Sequence, residues 1–62
     1  MIKYEQYDNE IYIVEGDDLL GRIYDVGRNN YFLIWEDSTI KIPLHGLEDV
    51  KQYVIKHYKD HI

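Results

Sequence analysis

Residues Tyr31-Phe32-Leu33-Ile34-Trp35 form an unbroken run of five apolar or aromatic side chains. Aromatic and branched residues favour a strand, and successive side chains of a strand point to opposite faces of the sheet. Tyr31, Leu33 and Trp35 therefore share one face, while Phe32 and Ile34 share the other. A 62-residue chain has little mass with which to cover two faces of one sheet. Either the sheet curls so that the first face completes a core, or that face is an interface.

Four further segments predict strands: residues 2–7, 11–15, 19–26 and 39–42. Within the third of these, Gly21 indicates a bulge or a sharp bend. One side of that segment carries Leu20, Arg22, Tyr24 and Val26. Residues Glu36-Asp37-Ser38 predict a tight hairpin turn, after which Ile40 and Ile42 are expected to point inward. Pro43 should end the last strand, because proline cannot donate to a β-ladder.

The C-terminal segment changes to helical spacing. Leu47, Val50, Val54 and Tyr58 recur at i, i+3, i+7 and i+11, which predicts one apolar stripe of a helix over about residues 46–59. Acidic residues in its first turn and basic residues in its last turn complement the helix dipole. The expected fold is therefore one α+β domain, residues 1–62, in which a curled antiparallel meander of three to five strands precedes a single helix.

Composition limits the classes of function. The chain has no cysteine and a net charge of −5, so thiolate chemistry is excluded and a phosphate backbone is repelled. No apolar run is long enough to span a membrane, and the first residues lack the apolar core of a signal peptide. We expect a cytoplasmic protein. Abundant Ile, Tyr, Asp and Lys, with no Ala, favour a low-GC bacterium or one of its phages as the source.

Three short segments, spanning roughly residues 11–58, resemble the chromodomain and its SH3-like relatives. They are Tyr12-Ile13-Val14-Glu15, Tyr31-Phe32-Leu33-Ile34-Trp35, and Pro43 followed by Leu47. The resemblance implies a curled sheet packed against a helix, and a peptide-binding role that often uses an aromatic cage for methylated lysine. Two cage positions would fall on Tyr12 and Trp35, and the third falls on Ser38.

Residues that could carry chemistry are few. His57 and His61 are spaced as zinc ligands on one helix face, with Asp60 or His45 to complete a site. A solvated helix end explains the same spacing. The paired carboxylates, Asp17-Asp18 and Glu36-Asp37, fall in predicted turns, where aspartate is common for backbone reasons. Ser38 is the only serine and has no oxyanion-hole pattern beside it. We therefore expect no catalytic residue, no metal and no cofactor.

The function expected is a non-enzymatic, acidic protein-binding module, such as a phage or mobile-element inhibitor that occludes a basic surface of a host protein. The expected anchors are Trp35, Tyr31 and Tyr24, and the charged rim consists of Asp17, Asp18, Glu36 and Asp37. A homodimer through the same aromatic face is an equal alternative. A nucleic-acid-binding or regulatory protein that uses Arg22, Arg28, Lys41 and nearby tyrosines is the second hypothesis.

Overall fold

Five antiparallel strands and a C-terminal helix make up the fold, which belongs to the α+β class expected from the sequence. The computed structural model describes residues 1–62. The strands lie in the sheet in chain order, so each one pairs with its sequence neighbours. The elements are β1 (Ile2–Tyr7), β2 (Glu10–Glu15), β3 (Asp18–Gly27), β4 (Asn30–Trp35), β5 (Ile42–His45), α1 (Leu47–His57) and a final 3-10 turn (Tyr58–His61).

Short turns with left-handed backbone join the first four strands. In the predicted turn between β3 and β4, Gly27, Arg28 and Asn29 adopt φ of 89°, 56° and 63°. Asp8 in the turn between β1 and β2 has φ 53°. Glycine, asparagine and aspartate tolerate this region, and turns of this kind match the twist of antiparallel strands. These tight turns therefore join β1 to β4 in a meander, in the order that the sequence predicts.

The strand register separates the side chains into two faces. In one row of paired residues, Ile11, Ile23, Leu33 and Ile42 lie side by side across β2 to β5. The helix packs on this side, which we call the covered face. The core consists of Ile13, Leu20, Ile23, Tyr31, Leu33, Trp35, Val50 and Val54. Of the two alternatives open for Tyr31, Leu33 and Trp35, the core is therefore the one found.

A β-bulge brings Leu20 into the core. The register between β2 and β3 shifts after Ile13, which pairs with Gly21, whereas Val14 pairs with Leu19. Leu20 is the extra residue, and its side chain is 4% exposed on the covered face. Assigning Leu20 to the same side as Arg22 was wrong because strict alternation breaks at a bulge. Of the bulge or sharp bend expected at Gly21, the bulge is the one found.

The last strand differs from its prediction. β5 spans Ile42–His45 and includes Pro43, which pairs with Phe32 of β4. Residues 36–41 form a connection longer than the expected hairpin turn, and Ile40 is 68% exposed instead of pointing inward. Proline is tolerated here because β5 is an edge strand, where one side of the backbone has no ladder partner.

The helix α1 covers the sheet with the predicted stripe. Val50 and Val54 are fully buried, while Tyr53 and Tyr58 pack against the core edge. Leu47, the first residue of the stripe, is 44% exposed. The α-helix ends at His57 and continues as the 3-10 turn, so the predicted end near residue 59 falls in a tighter turn. No helix has the length and hydropathy needed to cross a membrane.

Candidate partner-binding surface

The sheet face opposite the helix carries aromatic and apolar side chains that no other element covers. We call it the open face. Tyr12, Arg22 and Ile34 form one row of paired residues across β2 to β4. Glu10, Tyr24 and Phe32 form the next row. All of these side chains are partly exposed, so the surface combines apolar rings with charged neighbours.

A shallow hollow lies on the open face. Its volume is about 430 Å³, and four of its five lining residues are apolar. The lining residues are Tyr24, Val26, Phe32, Ile34 and Lys41. Concave apolar surfaces with a few polar groups at their edge are the usual sites of binding. The hollow is therefore the best-formed feature of this face for receiving a partner's side chain.

Two cations lie beside the aromatic rings of the open face. The guanidinium of Arg22 is 5.4 Å from the centroid of the Tyr12 ring, and the ammonium of Lys41 is 6.0 Å from that of Phe32. Arg22 Nε also donates a 3.0 Å hydrogen bond to Oε1 of Glu36. The Glu36 carboxylate raises the pKa of Arg22. Arg22 is thus already paired, and its charge is largely balanced within the chain.

Tyrosine side chains extend the open face toward β1. The rings of Tyr7 and Tyr12 have centroids 4.7 Å apart. The hydroxyl of Tyr7 donates a 3.0 Å hydrogen bond to Oε1 of Glu5. That hydrogen bond and the charge of Glu5 raise the pKa of Tyr7 above its usual value of 10.0. The hydroxyl therefore stays protonated and acts as a hydrogen-bond donor at physiological pH.

The structure separates the three expected anchor residues. Trp35 is 2% exposed and Tyr31 is 8% exposed, and both pack in the core on the covered face. The expectation that they contact a partner is therefore corrected, because the helix and the C-terminal turn already cover them. Tyr24 lies on the open face and lines the hollow. Phe32 and Ile34, which were not among the expected anchors, also line the hollow beside Tyr24.

The aromatic cage implied by the chromodomain resemblance is not formed. Tyr12 pairs with Arg22 on the open face, whereas Trp35 pairs with Gly21 and lies in the core. The two aromatic side chains thus lie on opposite faces of the sheet. A methylated lysine needs rings around one position, and the present arrangement offers none that combines these two residues.

The four expected rim carboxylates lie at one end of the sheet. Asp17 lies in the turn between β2 and β3, Asp18 is the first residue of β3, and Glu36 and Asp37 follow β4. A hydrogen bond of 2.8 Å from the Glu36 N–H to the carbonyl of Leu20 joins the end of β4 to the bulge in β3. The carboxylate of Glu36 contacts Arg22, and that of Asp37 contacts His61. Asp17 and Asp18 are exposed and have no ion-pair partner.

Contacts within the fold involve three of the residues considered for catalysis or metal binding: His57, His61 and Ser38. The ring of His61 stacks on Trp35, whereas the ring of His57 packs against Tyr53 with centroids 4.3 Å apart. No group of three or more histidine, aspartate or glutamate side chains is arranged to hold a metal ion. The Ser38 hydroxyl accepts a 3.1 Å hydrogen bond from the N–H of Ile40 and shapes the connection before β5.

Comparison with known proteins identifies no relative. No protein-family model matches the chain, and neither a curated protein nor a solved structure matches it.

Proposed function

We propose that this chain is a non-enzymatic protein-binding module, and that it binds a partner with a basic surface through the open face. The observation that carries the proposal is the uncovered hollow around Phe32, with Tyr24 and Ile34 in its lining. Apolar patches bordered by polar residues are common at protein interfaces. Aromatic side chains often carry a large share of the binding free energy at such sites.

The charge of the chain supports the proposal of a basic partner. The net charge is −5, and residues 1–30 carry seven acids against three bases. Asp17 and Asp18 are exposed at one end of the sheet, while Glu5 and Glu10 border the open face near β1. Acidic groups around an apolar centre steer a basic partner and discourage an acidic one. In this proposal the open face anchors the partner, and the module then occludes the basic surface.

A photo-crosslinking amino acid at position 32 tests this proposal. Phe32 lines the hollow, whereas Ile55 is 61% exposed on the outer side of α1 and provides a matched control position. We expect a protein crosslinked from position 32 but not from position 55, and competed away by the unlabelled chain. Equal crosslinking from both positions, or none from position 32, would contradict the proposal.

Substitutions then separate anchoring from steering. Tyr24→Ala should mainly speed dissociation, because it removes contact area at the centre of the interface. Charge reversal at Asp17 and Asp18 should mainly slow association and reduce its dependence on salt. Ile55→Ala should change neither rate. An effect of Ile55→Ala equal to that of Tyr24→Ala would place the interface elsewhere.

Nucleic-acid binding is the second candidate, because Arg22 and Lys41 lie beside aromatic rings on the open face. Such sheet faces bind single strands by stacking and by phosphate contact. The test is fluorescence anisotropy of a labelled single-stranded oligonucleotide at several salt concentrations. Binding that weakens steeply with salt and on Lys41→Ala, but not on Lys56→Ala, would support this candidate over a protein partner.

A further inference from the structure

The outer edge of β1 is an exposed strand edge, distinct from the open face. β1 is the first strand of the sheet, has six residues and contains no proline. The opposite edge strand, β5, has four residues and includes Pro43. An edge strand presents unpaired N–H and C=O groups, and proteins commonly block such edges with short strands or proline. Only β5 is blocked in this way.

The two-residue turn after β1 determines which backbone groups face outward. Tyr7 pairs with Glu10 across Asp8-Asn9, and such a pair closes the turn with mutual backbone hydrogen bonds. Along an antiparallel strand, the N–H and C=O groups of successive residues point alternately to one neighbouring strand and to the other side. The N–H and C=O groups of Lys3, Glu5 and Tyr7 therefore face β2. Those of the three even-numbered residues face solvent: Ile2, Tyr4 and Gln6.

We propose that β1 pairs with β1 of a second copy of this chain, antiparallel, about a two-fold axis at Tyr4. The outward backbone groups of Tyr4 then pair with those of Tyr4 in the second copy, and those of Ile2 pair with those of Gln6. Lys3 stands directly opposite Glu5 of the second copy, and the symmetry produces this pair twice. Oppositely charged side chains in such cross-strand positions attract each other.

Charge also excludes the neighbouring registers. Only the even-numbered residues of β1 have backbone groups that face outward, and these must pair with each other across the seam. The register can therefore shift only to positions that again place even-numbered residues opposite even-numbered residues. A shift in one direction places Lys3 opposite Lys3, and a shift in the other places Glu5 opposite Glu5. Like charges in directly opposed positions destabilise a pair of strands. The register centred on Tyr4 alone makes both charge pairs attractive.

The dimer would join two five-stranded sheets into one continuous sheet. Residues that pair across strands point to the same face, so the two open faces lie side by side. Among the aromatic side chains of the open face, Tyr7 on β1 and Tyr12 on β2 lie nearest the seam. The dimer thus presents a bivalent aromatic surface. Self-pairing does not require the proposed function, because it uses the strand edge and leaves the open face free.

Charge reversal tests the pairing and its register together. Lys3→Glu places acid opposite acid, and Glu5→Lys places base opposite base. The homodimer of each variant should have a dissociation constant at least about tenfold higher than that of the natural chain. An equimolar mixture of the two variants restores both attractive pairs, so it should form a heterodimer of near wild-type affinity. Sedimentation equilibrium over a wide concentration range, at low and high salt, measures all three samples.

Matched controls reverse charges on the exposed side of α1. Lys56→Glu and Glu48→Lys change the net charge by the same amounts but lie away from β1, so both should leave self-association unchanged. Circular dichroism checks that each variant is folded. A natural chain that stays monomeric at every concentration would overturn the proposal. A dimer that ignores both single reversals, or variants that fail to associate when mixed, would overturn it equally.

Discussion

The imidazole of His61 stacks on the indole of Trp35, with ring centroids 4.0 Å apart and ring planes inclined by 9°. Nδ1 of His61 also lies 2.7 Å from Oδ1 of Asp37. The 3-10 turn after α1 positions this ring, and the turn thereby covers Trp35 at one end of the core. The last residues of the chain thus contribute to packing instead of forming a free polar end.

Replacing His61 should weaken the fold. His61→Ala removes the stacked ring and the Asp37 contact, and we expect a loss of about 1 kcal/mol in the free energy of unfolding. Emission from Trp35 should also shift to longer wavelength, because water reaches the indole. Urea unfolding followed by tryptophan fluorescence measures both effects. Asp60→Ala, one residue away and exposed, is the control, and an equal loss in that variant would contradict a specific role for His61.

The two faces of β4 should differ sharply in their tolerance of substitution. Leu33 is fully buried in the core, whereas its neighbour Phe32 is partly exposed on the open face. Leu33→Ala should cost about 2–5 kcal/mol, enough to unfold much of so small a domain. Phe32→Ala removes a larger side chain but should cost clearly less. Thermal unfolding of both variants checks the order, and the reverse order would show that the faces have been assigned incorrectly.

A methyl group at Gly21 should be accommodated only at a cost in stability. A Cβ atom at this position would lie 3.0 Å from the carbonyl oxygen of Ile34 and 3.2 Å from Cε3 of Trp35. We expect Gly21→Ala to destabilise the fold by about 1–3 kcal/mol through overpacking. Gly16→Ala is the comparison, since its Cβ would meet nothing within 4 Å but its φ of +61° is strained for alanine. Chemical denaturation of both variants should give the larger loss at Gly21.

The phenol of Tyr7 should ionise at higher pH than that of an ordinary tyrosine. Glu5 accepts a hydrogen bond from the Tyr7 hydroxyl, and its negative charge repels the phenolate form. The pKa of Tyr7 is therefore raised above 10.0. A raised pKa in the folded state adds stability below the unfolded pKa, and that stability is lost as the pH rises through the folded pKa. NMR titration of the tyrosine rings measures this shift. Glu5→Gln should lower the pKa of Tyr7, and no change in that variant would contradict the contact.

Much of the fold follows from spacing in the sequence. Alternation in β4 gives the two sets of side chains, and the spacing of Val50 and Val54 gives the covering stripe of α1. Gly21 indicates an irregularity in β3, but the burial of Leu20 and the strand that runs through Pro43 do not follow from spacing, because both break the regular rule for a strand. A bulge depends on how neighbouring strands meet, and proline is allowed only once the strand is known to be at an edge.

The site was harder to predict because β4 is apolar on both faces. Part of the missing information lies in the neighbouring strands. Arg22 points to the same side of its strand as Tyr24, and Glu10 points to the same side of its strand as Tyr12. A sheet face that includes charged residues is expected to be exposed to solvent. Ile11, Ile13 and Ile23 form a purely apolar set, which is expected to be buried. The register adds the rest: the pairing of β3 with β4 shifts by one residue between Asp25 and Gly27, so Arg22 pairs with Ile34 instead of Trp35. The burial of one strand face is therefore set by its neighbours.

The accessibility of Trp35 tests most directly which face is covered, because it is the only tryptophan in the chain. Acrylamide quenching of the folded protein, compared with the urea-unfolded chain and with free N-acetyltryptophanamide, makes this measurement. Burial under α1 and the His61 turn predicts weak quenching in the folded state and strong quenching after unfolding. Quenching of the folded protein as strong as that of the free amide would show that Trp35 is on the surface, and would contradict both the core and the open face described above.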